Sequence, residues 1–266
     1  DIIGAKFVRE VENGEVVVIS ADGIKSFKPF PKKPERPCIF EYIYFARPDS
    51  IVGGKSIYEC RKGFGRELAN ESNVEADMVI PIPDSGVPSA IGYAEQADIP
   101  FELGITRNHY VGRTFIQPKQ SIRSFGVRLK HNANRTLVAG KRIVLIDDSI
   151  VRGTTSVKIV QMMREAGAKE IHFRVSSPPI THSDFYGIDT PSKDQLLAST
   201  KSVDEMCEYL GADSLAFLSI EGIYQALGHK DGRNADCPLY TDHCFTGDYP
   251  TLLEDESGGE LNSQLS

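Results

Sequence analysis

Acidic side chains are missing from one long stretch of this chain. Leu103 to Ile146, 44 residues, contains no Asp or Glu. The same stretch holds nine basic residues: Arg107, Arg113, Lys119, Arg123, Arg128, Lys130, Arg135, Lys141 and Arg142. With 37 acids in the chain, an even scatter would not leave such a gap, and the bias suits an anionic ligand. Long apolar runs are also missing. None approaches the roughly 20 residues of a membrane-spanning helix, so no membrane partner is expected. Cysteine is scarce: Cys38, Cys60, Cys207, Cys237 and Cys244 are scattered, and no signal peptide is expected ahead of them. The expectation is free thiols in a cytoplasmic protein rather than a disulfide framework. A net charge of −7 argues against a nucleic-acid-binding surface spanning the chain. That charge is an average. Glu254, Asp255, Glu256 and Glu260 form an acidic tail from Thr251 onward, with no positive residue.

The chain has 266 residues, 40% hydrophobic and 25% charged. This length suits one large α/β domain, or one domain plus a fragment, with a core that needs no staples. Ala5–Val11 and Glu15–Ser20 are β-rich runs around Asn13-Gly14, a hairpin signal, and Asp22-Gly23 precedes a third run, Ile24–Phe27. Three short strands are too few to be stable alone. Pro29, Pro31, Pro34 and Pro37 then fall within nine positions, which breaks any helix or central strand and marks a linker.

Beyond the linker the pattern alternates. Strands are predicted over Ile39–Ala46, Met78–Ile82, Arg142–Ile146, Glu170–Ser176 and Ser214–Leu218. Helices are predicted over Ser56–Ser72, Val87–Ala97, Gly153–Ala166, Val203–Leu210 and Ile220–Leu227. Short apolar strands separated by helices imply an α/β fold with a mainly parallel sheet covered on both faces. Ligands of such sheets bind at the carboxyl ends of the strands.

One such end stands out. The apolar run Ile143–Ile146 leads into Asp147-Asp148-Ser149-Ile150-Val151-Arg152-Gly153-Thr154-Thr155 and then a helix. Adjacent carboxylates can accept hydrogen bonds from vicinal sugar hydroxyls or hold Mg²⁺. The loop and helix N-terminus, with the Ser149, Thr154 and Thr155 hydroxyls, suit a phosphate monoester. The plainer alternative is a turn opened by Asp147-Asp148 and a helix capped by Thr154. A second loop, Pro83-Asp84-Ser85-Gly86, follows the strand at Met78–Ile82 as a tight turn exposing backbone N–H groups.

Val144–Ser156 resembles the phosphoribosyl-pyrophosphate (PRPP) motif of type I phosphoribosyltransferases, and its wording is similar to that of the amidophosphoribosyltransferase family. Tyr44–Ser50 resembles the opening of that family's transferase domain, Val79–Gly86 its pyrophosphate loop and Tyr110–Ile116 its flexible active-site loop. The resemblance runs from about Ala5 to Pro250. It implies a type I phosphoribosyltransferase fold over residues 37–250, a remnant of a glutaminase domain plus linker over 1–36, and an acidic tail over 251–266. A full family member starts its glutaminase domain with a Cys nucleophile; with Asp1 in first place, the expectation is a chain that uses free ammonia, not glutamine.

The implied roles fall on matching positions. Asp147 and Asp148 would hold the ribose hydroxyls and Mg²⁺. Ser149, Ile150, Val151, Arg152, Gly153, Thr154 and Thr155 would wrap the 5′-phosphate. Asp84, Ser85 and Gly86 would receive pyrophosphate, with Ser85 near the metal. Arg113, Lys130 and Arg135 would meet the diphosphate, and Tyr110 and Ile116 would close the site and exclude water. The alternative for the basic stretch is a solvated charged face. Where the family often has Lys-Asn-Arg-Tyr, this chain has Arg107-Asn108-His109-Tyr110.

The implied reaction is displacement of pyrophosphate from the PRPP anomeric carbon by ammonia, giving 5-phosphoribosylamine, the first committed step of purine synthesis. Homo-oligomers and inhibition by purine nucleotides are implied too. Some members hold a [4Fe–4S] cluster on four Cys. Here Cys38 and Cys244 fall on two matching positions and Asp184 and Thr241 on the others, so no cluster is expected. The histidines show no zinc spacing; His131, His172, His182, His229 and His243 read as isolated structural or exposed residues. Two rival readings stand beside the leading one: a non-catalytic PRPP- or nucleotide-binding regulator, and a nucleobase phosphoribosyltransferase. The closing loop at Tyr110–Ile116 favours an enzyme over the first, and no base-recognition hood supports the second.

Overall fold

A computed structural model describes residues 4–108, 131–188 and 190–251. The first strands, β1 (Val16–Ser20) and β2 (Gly23–Phe27), form a two-stranded antiparallel hairpin. Ala5–Val11, expected as a third strand, is not one: Phe7 and Val8 are largely exposed and the run pairs with nothing in the described hairpin. The proline-rich run has no regular secondary structure and is largely exposed.

Ile39–Ala46 is a second correction. Glu41–Phe45 is a π-helical turn, not a strand. The buried residues Ile39, Phe40, Tyr42 and Ile43 recur at helical spacing rather than alternating, while Tyr44 and Phe45 face out. A small hairpin follows, β3 (Ile51–Val52) and β4 (Lys55–Ser56). Helix α1 (Ile57–Ser72) then starts at Ser56, whose side chain accepts from the Glu59 N–H.

The remaining elements are β5 (Met78–Pro81), α2 (Val87–Ala97), β6 (Ile105–Arg107), β7 (His131–Ala133), α3 (Arg135–Val138), β8 (Arg142–Asp147), α4 (Thr154–Glu165), β9 (Glu170–Val175), α5 (Leu197–Thr200), α6 (Val203–Leu210), β10 (Ser214–Phe217), α7 (Ile220–Ala226) and α8 (His243–Thr246). The main sheet has the order β10-β9-β8-β5 and every pairing in it is parallel. The fold is therefore the expected α/β architecture, with a parallel sheet between helices.

Alternation along the strands explains both helical layers. Val79, Val144 and Ile146 point to one face, where they pack with Phe64 and Leu68 of α1, Tyr93 of α2 and Ile223 of α7. Ile80, Ile143, Leu145, Phe173 and Val175 point to the other, against Ile159 and Met163 of α4 and Met206 and Leu210 of α6. A strand buried on both faces needs apolar residues at every position, and Ile143–Ile146 supplies them. β6 and β7 form a separate antiparallel hairpin, joined to the sheet edge through a parallel bridge between Val79 and Phe101.

Candidate active site

Parallel strands bring their carboxyl ends to one side of a sheet, and three adjacent strands meet there. β8 ends at Asp147. Its neighbour β5 is in register with it up to Pro81 opposite Ile146, and its neighbour β9 up to Val175 opposite Asp147. The Ile82 N–H donates to Ile146 O at 2.8 Å and the Ser176 N–H to Asp147 O at 2.9 Å, so each following loop starts from a fixed point.

Asp147 and Asp148 are both buried, 9% and 5% exposed, which is costly for two carboxylates unless a ligand answers them. The Asp148 N–H donates to Asp147 Oδ1 at 3.0 Å, and the Ser149 hydroxyl to Asp148 Oδ2 at 2.6 Å. Burial, and then the charge of Asp148, push the Asp147 carboxyl well above the usual carboxylate range. A like-charged pair of oxygen donors fits a hard divalent cation such as Mg²⁺. Ser85, half-buried on the loop beside them, is a further oxygen at the same sheet edge.

Past Asp148 the chain turns tightly. Ile150 is buried at 2%, and the Leu197 N–H holds Val151 O at 2.9 Å. Gly153, at φ +72, caps α4 in the left-handed region, where a side chain would be strained. The N-cap residue, Gly153, has no side chain to cap α4, and Thr154 and Thr155 are exposed beside it. The first-turn N–H groups have no partners within the helix, which suits a phosphate. Arg152 is exposed and its Nε donates to Gln195 Oε1 at 3.3 Å.

The second loop runs from Ile82 to Gly86, with a cis peptide between Pro83 and Asp84. The Gly86 N–H donates to Ile82 O at 3.1 Å, and α2 starts directly after with Pro88 in its first turn. Its N-cap residue, Gly86, likewise has no side chain to cap it. Gly86 lies against β8: a Cβ there would be 3.0 Å from Ile82 O and 3.3 Å from Ile146 C, and closer still to Ile146 O. Two helix N-termini thus flank two carboxylates, on strands about 4.8 Å apart. The arrangement can hold an anion at each side and hydroxyl groups between them.

Two arginines at this end of the sheet were not among the expected site residues. Arg107, at the end of β6, pairs with Asp84. Arg61 of α1 is 3% exposed; its Nε donates to Tyr42 O at 2.9 Å and its Nη2 to Ala46 O at 2.8 Å. Burial lowers the Arg61 pKa below the ordinary guanidinium value, and the charge of Asp148 leads the influences that oppose this. The acid-free stretch was the signal for Arg107; for Arg61, one Arg on a helix, the sequence carried none.

The structure brings together Asp84, Ser85, Gly86, Asp147, Asp148, Ser149, Ile150, Val151, Arg152, Gly153, Thr154 and Thr155. It does not bring Arg135 to them. β7 runs back from His131, opposite Arg107, towards the amino end of the sheet, so Arg135 opens α3 on the far side of that hairpin and is exposed. Tyr110, Arg113, Ile116 and Lys130 lie outside the described residues. One histidine departs from expectation: His243 is not isolated but converges with Asp184 and Cys244 in the core.

Residues 56–178, which span these loops, match the phosphoribosyl transferase domain family. The chain is 61% identical to the amidophosphoribosyltransferase of Rhizobium etli over 272 aligned residues, covering 100% of this chain and 55% of that protein. It is 52% identical to the Bacillus subtilis amidophosphoribosyltransferase over 255 residues, covering 95% of this chain and 53% of that one. The solved structure of glutamine PRPP amidotransferase from B. subtilis, complexed with ADP and GMP, superposes with a TM-score of 0.84 at 51% identity, covering 96% of this chain and 56% of that one. The chain spans about half the length of the curated relatives it matches.

Proposed function

The chain belongs to the amidophosphoribosyltransferase family, and on that premise we propose that it is a pentosyltransferase that binds PRPP and replaces its pyrophosphate with ammonia, giving 5-phosphoribosylamine for purine synthesis. The observation that carries this reading is the pair of buried carboxylates, Asp147 and Asp148, set between two uncapped helix N-termini. The α4 end and the Ser149–Thr155 loop take the 5′-phosphate. Asp147 and Asp148 accept hydrogen bonds from the ribose 2′ and 3′ hydroxyls. The Asp84–Gly86 loop and the α2 end take the pyrophosphate.

Mg²⁺, when bound by Asp147 and Asp148 with Ser85 nearby, neutralises part of the diphosphate charge. Everything else falls to the protein. Charge grows on the leaving oxygen as the anomeric bond breaks, and the N–H groups ahead of α2 stabilise it. A positive sugar ring develops beside the two carboxylates, which favour it electrostatically. Neutral ammonia attacks C1 without a general base, and the ammonium so formed gives its extra proton to the departing pyrophosphate or to water; positioning against C1 is the main requirement. The Bacillus enzyme is named for glutamine as its nitrogen source; for these residues the proposed nucleophile is ammonia.

Three further readings belong to this proposal. Residues 37–250 form the transferase domain, 1–36 belong with a neighbouring glutaminase domain, and 251–266 are a tail. Purine nucleotides bind and inhibit, which the ADP and GMP held by the Bacillus relative support. The enzyme works as a cytoplasmic homo-oligomer. The test mixes the protein with PRPP, Mg²⁺ and ammonium and follows pyrophosphate release. Release that rises with the ammonia concentration is expected. PRPP binding without release at high ammonia would overturn the enzyme reading in favour of a regulator.

A further inference from the structure

A second cluster of chemically active side chains sits apart from the strand-end loops. Asp184, His243 and Cys244 each offer one ligand atom, and these atoms all lie within 4.8 Å of one another. His243 Nε2 is 2.7 Å from Asp184 Oδ1 and 3.5 Å from Cys244 Sγ. The three residues are 9%, 1% and 3% exposed.

The geometry discriminates between uses. In a nucleophilic relay the imidazole contacts the thiol through one ring nitrogen and the carboxylate through the other. Here thiol and carboxylate converge on the same nitrogen. A neutral imidazole has one proton at most on Nε2, so without a further group the two partners compete for it. Convergence of S, N and O donors on one point is the geometry of a metal centre.

The contacts that hold Asp184 and Cys244 fit. Asp184 Oδ2 accepts N–H bonds from Tyr186 at 2.8 Å and Ile188 at 2.7 Å, which leaves Oδ1 aimed at the cluster. Fixing a carboxylate's second oxygen in this way is what outer-shell partners do around metal ligands. The Cys244 carbonyl accepts from the N–H groups of Thr181 at 2.9 Å and His182 at 3.1 Å, so the Asp184 loop and α8 are already tied. Cys38 packs against the same apolar cluster of Phe40, Ile180, Leu196 and Cys244.

We propose that Asp184, His243 and Cys244 bind a structural Zn²⁺, which draws in Cys38, outside the preformed group of three but packed on the same apolar cluster, as the fourth ligand. Mixed S, N and O donors select zinc over Mg²⁺, which takes oxygen. Two cysteines are too few for a [4Fe–4S] cluster, which takes four thiolates. The ion would staple three segments far apart in sequence: the start of the transferase region, the 177–192 loop and α8. Val151 of the phosphate loop packs on this cluster, so the staple also supports the floor of the strand-end site. The inference stands on these contacts and does not depend on the proposed reaction.

The full chain, produced with zinc supplied and then desalted, should contain about one zinc per chain by elemental analysis. A chelator should lower its melting temperature. Cobalt loading should give a thiolate-to-metal absorption band that Cys244→Ser lacks. Cys244→Ser and Asp184→Asn, checked for folding by circular dichroism, should lose the bound zinc and the chelator response. Wild-type protein with less than about a tenth of an equivalent of zinc and no chelator response would overturn the proposal. So would zinc retained in the folded variants, or iron with acid-labile sulfide in place of zinc.

Discussion

Replacing Gly86 with Ala should damage both stability and PRPP binding, by amounts that follow from the packing. The Gly86 backbone, at φ −72 and ψ −10, is open to any L-residue, so conformation is not the obstacle. Space is. The new methyl would meet Ile82 O at 3.0 Å, Ile146 C at 3.3 Å and Ile146 O closer still. These are backbone atoms of a buried strand and cannot swing away. The start of α2 must move off β8 by about 1 Å, and overpacking of this kind costs about 1–3 kcal/mol. For a chain of this size that is a fall of roughly 2–12 °C in Tm. The same shift moves the Asp84–Gly86 loop relative to Asp147, one residue beyond Ile146. A misplacement of about 1 Å in a positioned site costs up to about a hundredfold, so PRPP affinity should fall about 10–100-fold. Thermal unfolding and calorimetric titration with PRPP and Mg²⁺ read the two effects. Wild-type Tm and affinity in the variant would refute the packing argument. A lowered Tm with unchanged affinity would refute the link between this turn and the ligand.

The other expectations concern single side chains. Asp148→Asn should cut Mg²⁺-dependent PRPP binding and turnover; equal binding with and without Mg²⁺ in the wild type would contradict the role given to the pair. Arg61→Met leaves Tyr42 O and Ala46 O without their donor in a buried setting, so it should cost about 2–4 kcal/mol in urea unfolding; a change under about 0.5 kcal/mol would count against the clamp. His172 sets a pH dependence. Burial, then the charge of Arg174, lowers its pKa below the ordinary value of 6.5. The unfolded chain therefore takes up a proton that the folded chain resists, and stability falls as pH drops below about 6.5 towards the folded value. His172→Gln should flatten that part of the stability profile while leaving the profile above pH 7 unchanged; an identical acid slope would refute the assignment.

The parts of the molecule that the sequence displayed are those where local pattern and tertiary role coincide. Ile143–Ile146 reads as a strand buried on both faces because every residue is apolar, and it is one. The Asp147-Asp148 turn and the Ile82–Gly86 turn read as strand ends because the apolar runs stop there, and register then places them side by side. The π-helical turn was hidden because its buried residues, Ile39, Phe40, Tyr42 and Ile43, form a short apolar run that a strand also shows. Ala5–Val11 had strand composition but lacks a partner strand, and composition does not supply one. Contacts between distant positions were the hardest to see. Arg107 and Asp84 are 23 residues apart, and Asp184 and His243 are 59 apart. Nothing in the spacing of a lone His discloses which loop will fold over it. Arg135 shows the converse: a basic residue in a basic stretch, carried to the other end of a hairpin by the direction of β7.

The central claim is that adjacent loops hold opposite ends of one ligand, and separate titrations of ribose 5-phosphate and pyrophosphate, each with Mg²⁺, test it most directly. Thr155→Ala should weaken ribose 5-phosphate and leave pyrophosphate unchanged, whereas Ser85→Ala should weaken pyrophosphate and leave ribose 5-phosphate unchanged. If either substitution weakened both ligands equally, or neither, the division of the site between the β8 and β5 loops would be wrong.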